Sequence, residues 1–252
     1  MEEKINTYII NLEKDIERKS YILKVLSNYS DIIEPTIITG INGYQLSDNE
    51  LNQVFDRDLA YKRYGRPLNK GEVGCTLSHY KCYKSLCESN NNLVLILEDD
   101  ITILNDLQII NYVRKIADSQ KPEIYLLSSD YWYTRLKKIN NQHSIASIFD
   151  AVGTYAYIIN RAAAERILQK LPKPSHIADG WTLYKSLGIK LYAIHPYLID
   201  ANIENFESSI KQEYFGEKRQ NMRLKFRLRS YWISFRKRIL LKRGHFISKI
   251  RK

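Results

Sequence analysis

The sequence predicts an α/β domain with a mostly parallel central sheet flanked by helices, followed by a basic helical tail. Three observations predict it. Short apolar runs alternate with amphipathic segments as far as Ile194, the pattern of repeated strand–helix–strand units. Leu93–Leu97 is an unbroken aliphatic run, as in a strand buried on both faces. The charge changes abruptly near residue 216. Residues 217–252 hold 14 Lys and Arg against one acidic residue, Glu217, whereas the preceding 216 residues carry 25 basic and 27 acidic groups. The expected division is therefore a globular domain over residues 1–216 and a tail over 217–252.

Taken in order, Thr7-Tyr8-Ile9-Ile10 reads as a first strand ending at Asn11, and Asp15–Tyr29 as a helix through Ile16, Ile22, Leu23 and Leu26. Pro35–Thr39 reads as a second strand closed by the Asn42-Gly43 turn. Ser47-Asp48-Asn49-Glu50 is a capping box opening a helix through Leu51, Val54, Phe55 and Leu59. Asn69–Glu88 reads as a longer helix. Ile124–Leu127, Tyr155–Ile159 and Leu191–Ile194 read as further strands. Asn160 is placed to cap a helix that Pro172 ends.

With 252 residues, 44% of them hydrophobic, the chain has enough apolar side chain for a core of this size. No apolar run approaches the roughly 20 residues that span a bilayer. Cys75, Cys82 and Cys87 contain no Cys-x-x-Cys pair, so neither a zinc site nor a thioredoxin-like motif is expected. Their odd number and the acidic start Met1-Glu2-Glu3-Lys4 lead to the expectation of a reducing cytoplasm.

Chemistry is expected where the buried strand ends. Glu98-Asp99-Asp100 follows Leu97 directly, and ligand sites of open α/β sheets lie beyond the carboxyl ends of strands. Three adjacent carboxylates repel one another unless a cation offsets them. A hard divalent ion, Mn²⁺ or Mg²⁺, would do so while holding a diphosphate. A merely solvated acidic loop is the alternative. A dinucleotide-binding arrangement is weaker, because no Gly-x-Gly-x-x-Gly follows the first strand.

Several segments together carry a resemblance. They are Tyr8-Ile9-Ile10-Asn11-Leu12 with Arg18 beyond, Gly71-Glu72-Val73-Gly74-Cys75 with Ser78-His79, and the strand ending in Glu98-Asp99-Asp100. Gly153-Thr154-Tyr155-Ala156-Tyr157-Ile158-Ile159, Asp179, Pro196 and Glu207-Ser208-Ser209-Ile210 follow in order. This set resembles the lipooligosaccharide galactosyltransferases, family 25 of the glycosyltransferases, a group that also resembles the collagen galactosyltransferases of animals. The resemblance implies a GT-A-like nucleotide-sugar-binding domain. It also implies inverting transfer from a UDP-sugar to a glycan hydroxyl, with galactose the expected sugar and glucose or N-acetylhexosamine the alternatives within the family.

Roles follow from that resemblance. Asp100 is the first metal ligand, Asp99 a second or its support, and His195, at a strand end before Pro196, would complete the shell. Ile10, Asn11, Leu12, Arg18, Thr39, Ser78, His79, Glu98, Asp99, Gly153 and Thr154 are expected on the donor side. Glu72 and Gly74 open the helix that carries Ser78 and His79, the glycine allowing close backbone approach to the donor. Asp179 is expected to act as general base, with a plain helix N-cap as its alternative role. Trp181, Tyr131 and Trp132 are expected to offer flat faces to acceptor sugars.

In the tail, arginines and lysines interleave with Leu224, Phe226, Leu228, Tyr231, Trp232, Ile233, Phe235, Ile239, Leu240 and Leu241. Such a basic, aromatic-bearing helix suits an anionic membrane surface. The expected setting is thus the inner face of the cytoplasmic membrane, with a lipid-linked oligosaccharide as acceptor and no nucleic-acid partner. Two other classes stay open at this point. A nucleic-acid-binding protein would act through the tail and ignore the acidic trio, and a metal-dependent phosphohydrolase would need no glycan acceptor.

Overall fold

The computed structural model describes residues 4–117, 120–202, 206 and 222–248. β1 (Ile5–Asn11) is apolar enough to be enclosed on both faces. It leads through α1 (Ile16–Ser27) to β2 (Ile33–Thr39), which runs parallel to it from Ile5–Ile33 to Asn11–Thr39. β2 begins ahead of Pro35 and forms the sheet edge, where a residue without an N–H is tolerated.

A 3-10 turn at Gly43–Gln45 precedes α2 (Asp48–Val54), opened by the expected Ser47–Glu50 capping box. The helix expected to continue through Leu59 breaks instead. Phe55 is extended, and Asp56 caps a separate α3 (Arg57–Tyr64) by accepting the Leu59 amide at 2.9 Å. Asn69 and Glu72 form a second capping box at the start of α4 (Lys70–Glu88).

β3 (Leu93–Glu98) lies parallel to β1, with Ile10 opposite Glu98. Val94 and Ile96 enter one core with Tyr80, Tyr83 and Leu86 of α4. Leu93, Leu95 and Leu97 enter the other with Ile22 and Leu26 of α1. That two-sided burial explains a strand with no polar residue before Glu98.

β4 (Ile101–Ile103), α5 (Ile109–Ala117) and β5 (Glu123–Leu126) follow. Next come a hairpin of β6 (Tyr131–Lys138) and β7 (Ser144–Ala151), β8 (Ala156–Asn160), α6 (Arg161–Lys170), α7 (Trp181–Ser186), β9 (Lys190–His195) and β10 (Ile199–Ala201). Asn160 caps α6 as expected, accepting the Ala163 amide at 3.0 Å. Arg161 locks the turn between α4 and β3 by donating to the carbonyls of Cys87, Ser89 and Asn91.

The chain closes, over its described residues, with α8 (Leu224–Lys242) and β11 (Phe246–Ile247). The main sheet has the order β11-β6-β7-β9-β5-β8-β3-β1-β2, and β10 pairs with β4 apart from it. β1, β2, β3, β5, β6 and β9 run in one direction, while β7, β8 and β11 oppose them. The sheet is thus mostly parallel in strand direction but mixed in its ladders, because β8 inserts between β3 and β5. Helices flank it on both faces.

The expected boundary at 216/217 lies outside the described residues, but the described part of the basic segment contacts the domain. β11 pairs with β6, setting Phe246 opposite Trp132, and Lys237 forms an ion pair with Asp150. Arg229 donates to the Thr182 carbonyl at 2.6 Å. Glu207–Ile210, Lys218 and residues 249–252 lie outside the described residues. No helix among the described residues is long and apolar enough to cross a membrane.

Candidate active site

β1 and β3 end side by side, so Leu12 and the acidic trio emerge at the same edge of the sheet. The loop after β2 and one face of α4 complete an open cleft there. Ile10 and Leu12 form its apolar floor, Lys14 and Arg18 supply positive charge, and Tyr44 stands at its side, 41% exposed.

Two glycines shape the cleft wall. A Cβ on Gly74 would lie 2.5 Å from the Ile41 carbonyl oxygen and 2.7 Å from the Gly43 nitrogen. A Cβ on Gly43 would collide with the Lys70 carbonyl. The loop therefore lies backbone-on-backbone against α4, and Ser78 pins it by accepting the Ile41 amide at 2.8 Å. The close approach expected between Gly74 and the donor is in fact an approach to this loop.

The three carboxylates have different surroundings. Asp99 accepts from Asn11 Nδ2 at 2.7 Å and from Arg18 at 3.2 Å, so both its oxygens are engaged. Arg18 also reaches Asp100 at 3.0 Å and lies against the Phe206 ring. Asn11 thus secures the acidic turn to β1, while Arg18 bridges the two aspartates. Burial and repulsion from Glu98 and Asp99 nevertheless push the Asp100 carboxyl up to about 6. Arg18 does not fully offset the local negative charge.

Glu98 accepts from the Thr154 hydroxyl at 2.5 Å and lies 3.6 Å from His79 Nε2. Burial alone would raise its carboxyl. The contacts with His79 and Thr154 outweigh this and leave it below its ordinary value. His79 is buried, and its Nδ1 pairs with the Tyr157 hydroxyl at 2.7 Å, which aims Nε2 at Glu98. Cys75 stands one helical turn before His79. Its sulfur, His79 Nε2 and a Glu98 oxygen all lie within 4.8 Å of one another. Burial pushes the Cys75 thiol well up, with repulsion from Glu98 adding to it.

Gly153 holds a left-handed conformation, φ 79°, in which a Cβ would meet the Tyr155 ring. Its amide donates to Asp179 at 3.1 Å, and its carbonyl accepts from Trp181 Nε1 at 3.0 Å. Asp179 is half-buried, and burial raises its carboxyl. It does not cap α7, whose N-cap is Gly180.

The expected donor-side set is therefore only partly assembled. Ile10, Leu12, Arg18, Ser78, His79, Glu98, Asp99 and Asp100 line the cleft, and Asn11 and Thr154 bind its carboxylates. Thr39 is exposed at the end of β2, where its carbonyl accepts from Lys81. His195 is not in the cleft. It contacts the Tyr131 hydroxyl at 3.4 Å and precedes a cis peptide to Pro196.

The aromatic assignments are corrected. Tyr131 and Trp181 are fully buried in the core, where no sugar can stack on them. Trp132 stacks on Phe246 at 4.4 Å with the Lys237 ammonium 4.0 Å from its ring centroid, so the docked tail engages it. Tyr44, which sequence reasoning passed over, is the exposed ring at the cleft. Cys75 was also missed, although its four-residue spacing from His79 puts both on one helix face.

Comparison with known proteins gives relatives of the same kind. A "Glycosyltransferase 25 family member" of Aedes aegypti is 36% identical over 98 residues, 37% of this chain and 16% of its own length. Procollagen galactosyltransferase 1 of Danio rerio is 26% identical over 173 residues, 66% of this chain and 28% of its own. The chain thus spans less than a third of the length of these relatives. The glycosyltransferase GlyE of Streptococcus pneumoniae superposes with a TM-score of 0.44 at 9% identity, covering 99% of this chain and 66% of that one. Residues 4–180 match the sequence profile of "Glycosyltransferase family 25 (LPS biosynthesis protein)", and the chain belongs to glycosyltransferase family 25.

Proposed function

We propose that the chain transfers a hexose, galactose from UDP-galactose, to a hydroxyl of a lipid-linked oligosaccharide such as a lipooligosaccharide, with inversion at the anomeric carbon. One observation carries this reading: the acidic trio, Arg18, Leu12 and Tyr44 meet in a single open cleft at the strand ends. Relatives named as procollagen galactosyltransferases support the choice of sugar, and the family description supports the acceptor class.

The residues fit a divalent cation, Mn²⁺ or Mg²⁺. Burial first, and then repulsion from Glu98 and Asp99, raises the Asp100 carboxyl; such an ion would favour its charged form against both, and aspartate oxygens are the donors it prefers. Asp100 would hold it with Asp99 beside it. When bound, the ion offsets charge growing on the departing diphosphate. Cys75, His79 and Glu98 form a softer donor set, better matched to zinc.

The chain's own groups do the rest. Leu12, Ile10 and Tyr44 enclose the base, and Lys14 and Arg18 face the phosphates. His79, Glu98 and Thr154 form a fixed hydrogen-bonding edge for the sugar. Asp179, raised by burial, takes the proton from the acceptor hydroxyl.

A donor screen by UDP release tests this, run with and without a galactose- or glucose-terminated acceptor and with and without Mn²⁺. Acceptor-dependent turnover of UDP-galactose that Mn²⁺ stimulates is the expected result. Sugar release that ignores the acceptor would point to a hydrolase and overturn the reading.

A further inference from the structure

α8 has two apolar faces. The inner one sets Phe226, Ile233 and Leu240 toward the body, where Arg229 and Lys237 bind Thr182 and Asp150. The outer one carries Leu224, Leu228, Tyr231, Trp232 and Phe235, each between 56 and 66% exposed. Their spacing of four, three, one and three residues places them in one stripe along the helix. Lys225, Arg227, Arg238 and Lys242 border that stripe and are exposed. Residues 222–248 contain no acidic residue.

Trp232 touches the Phe149 ring of β7 at 5.6 Å, yet it and the other four keep more than half of their surface in water. An exposed apolar stripe of this size marks an interaction site, and its border selects the partner. A second copy of the same face would bring two cationic borders together. A nucleic acid would use the cations and leave the aromatic and leucine stripe in water. An anionic bilayer satisfies both, since apolar side chains reach the acyl boundary while Tyr, Trp, Lys and Arg sit among the headgroups.

We propose that the outer face of α8 binds an anionic lipid surface. Docked on the body by the Lys237–Asp150 pair and by β11, the helix would hold the whole domain in one orientation on the bilayer. This inference needs no sugar nucleotide and stands apart from the transferase assignment.

The test is vesicle flotation of the full chain, with phosphatidylcholine vesicles and with phosphatidylcholine–phosphatidylglycerol vesicles, alongside tryptophan emission. Binding is expected only to the anionic vesicles, with a blue shift from Trp232. Each basic residue near such a surface strengthens binding about five-fold, so the double variant Arg227→Gln/Arg238→Gln should bind roughly 25-fold more weakly. The double variant Leu228→Gln/Phe235→Gln should lose the blue shift with unchanged circular dichroism, since both side chains are exposed. Equal binding to neutral vesicles, or anionic binding that survives both double variants, would overturn the proposal. So would a wild-type dimer that Leu228→Gln/Phe235→Gln dissociates.

Discussion

Replacing Gly74 by alanine sets two opposed effects on one position. In mid-helix, alanine is favoured over glycine by about 1 kcal/mol, so propensity alone predicts a more stable protein. The added Cβ, however, would lie 2.5 Å from the Ile41 carbonyl oxygen and 2.7 Å from the Gly43 nitrogen. Both are backbone atoms, so no side chain can rotate away. The loop must retreat by about 0.9 Å to reach 3.4 Å, where ordinary contact begins. Overpacking of this kind costs about 1–3 kcal/mol, which outweighs the propensity gain. Gly74→Ala is therefore expected to be about 1 kcal/mol less stable by urea unfolding. The retreating loop carries Ile41, Asn42, Gly43 and Tyr44 of the cleft wall, so UDP affinity should fall several-fold as well. A variant about 1 kcal/mol more stable than wild type, with unchanged UDP affinity, would refute the reasoning.

Three further outcomes are expected. Burial, reinforced by Arg63, holds His176 neutral with a pKa of about 3, against an ordinary 6.5. Its contribution is complete above pH 6.5 and is lost as pH falls from there toward 3. Between pH 6.5 and 5 that loss amounts to about 2 kcal/mol, so the wild type should lose that much more stability than His176→Gln over this range. Equal losses would contradict it. Lys237→Ala strands the mostly buried Asp150 carboxylate and should cost about 2–3 kcal/mol, somewhat less than a fully buried pair. Lys237→Met/Asp150→Asn should recover most of it in urea unfolding. Asp179→Asn keeps an oxygen for the Gly153 amide but cannot take a proton, so kcat should fall at least about 100-fold while UDP affinity holds. Unchanged kcat would remove Asp179 as the base.

Much of the fold is legible in the sequence because local signals agree with it. The Leu93–Leu97 run, the Ser47 capping box and the Asn160 cap all stand where their residue types place them. The β6–β7 hairpin is not legible. β6 is buried at Tyr131 but exposed from Thr134 to Lys138, so it has no alternation to reveal a strand. Its partner lies in part beyond residue 222, since β11 and Lys237 cover Trp132. The acidic trio is visible as a cluster, but its internal division is not. Asn11 and Arg18 reach Asp99 across more than 80 residues of sequence, a pairing that no local pattern encodes. Aromatic residues mislead most. Tyr131 and Trp181 have the chemistry of sugar platforms, yet the packing of β6 and α7 uses them as core, leaving Tyr44 on the wall of the cleft.

On the proposed function, carboxylates at the end of β3 hold a nucleotide diphosphate in the cleft. Calorimetric titration of UDP into the full chain, with and without Mn²⁺, tests it most directly when repeated on Asp100→Ala. One saturable site is predicted, tightened by Mn²⁺ and weakened at least about tenfold in the variant, whose circular dichroism matches wild type. UDP bound equally well by Asp100→Ala, or by neither protein, would contradict the claim.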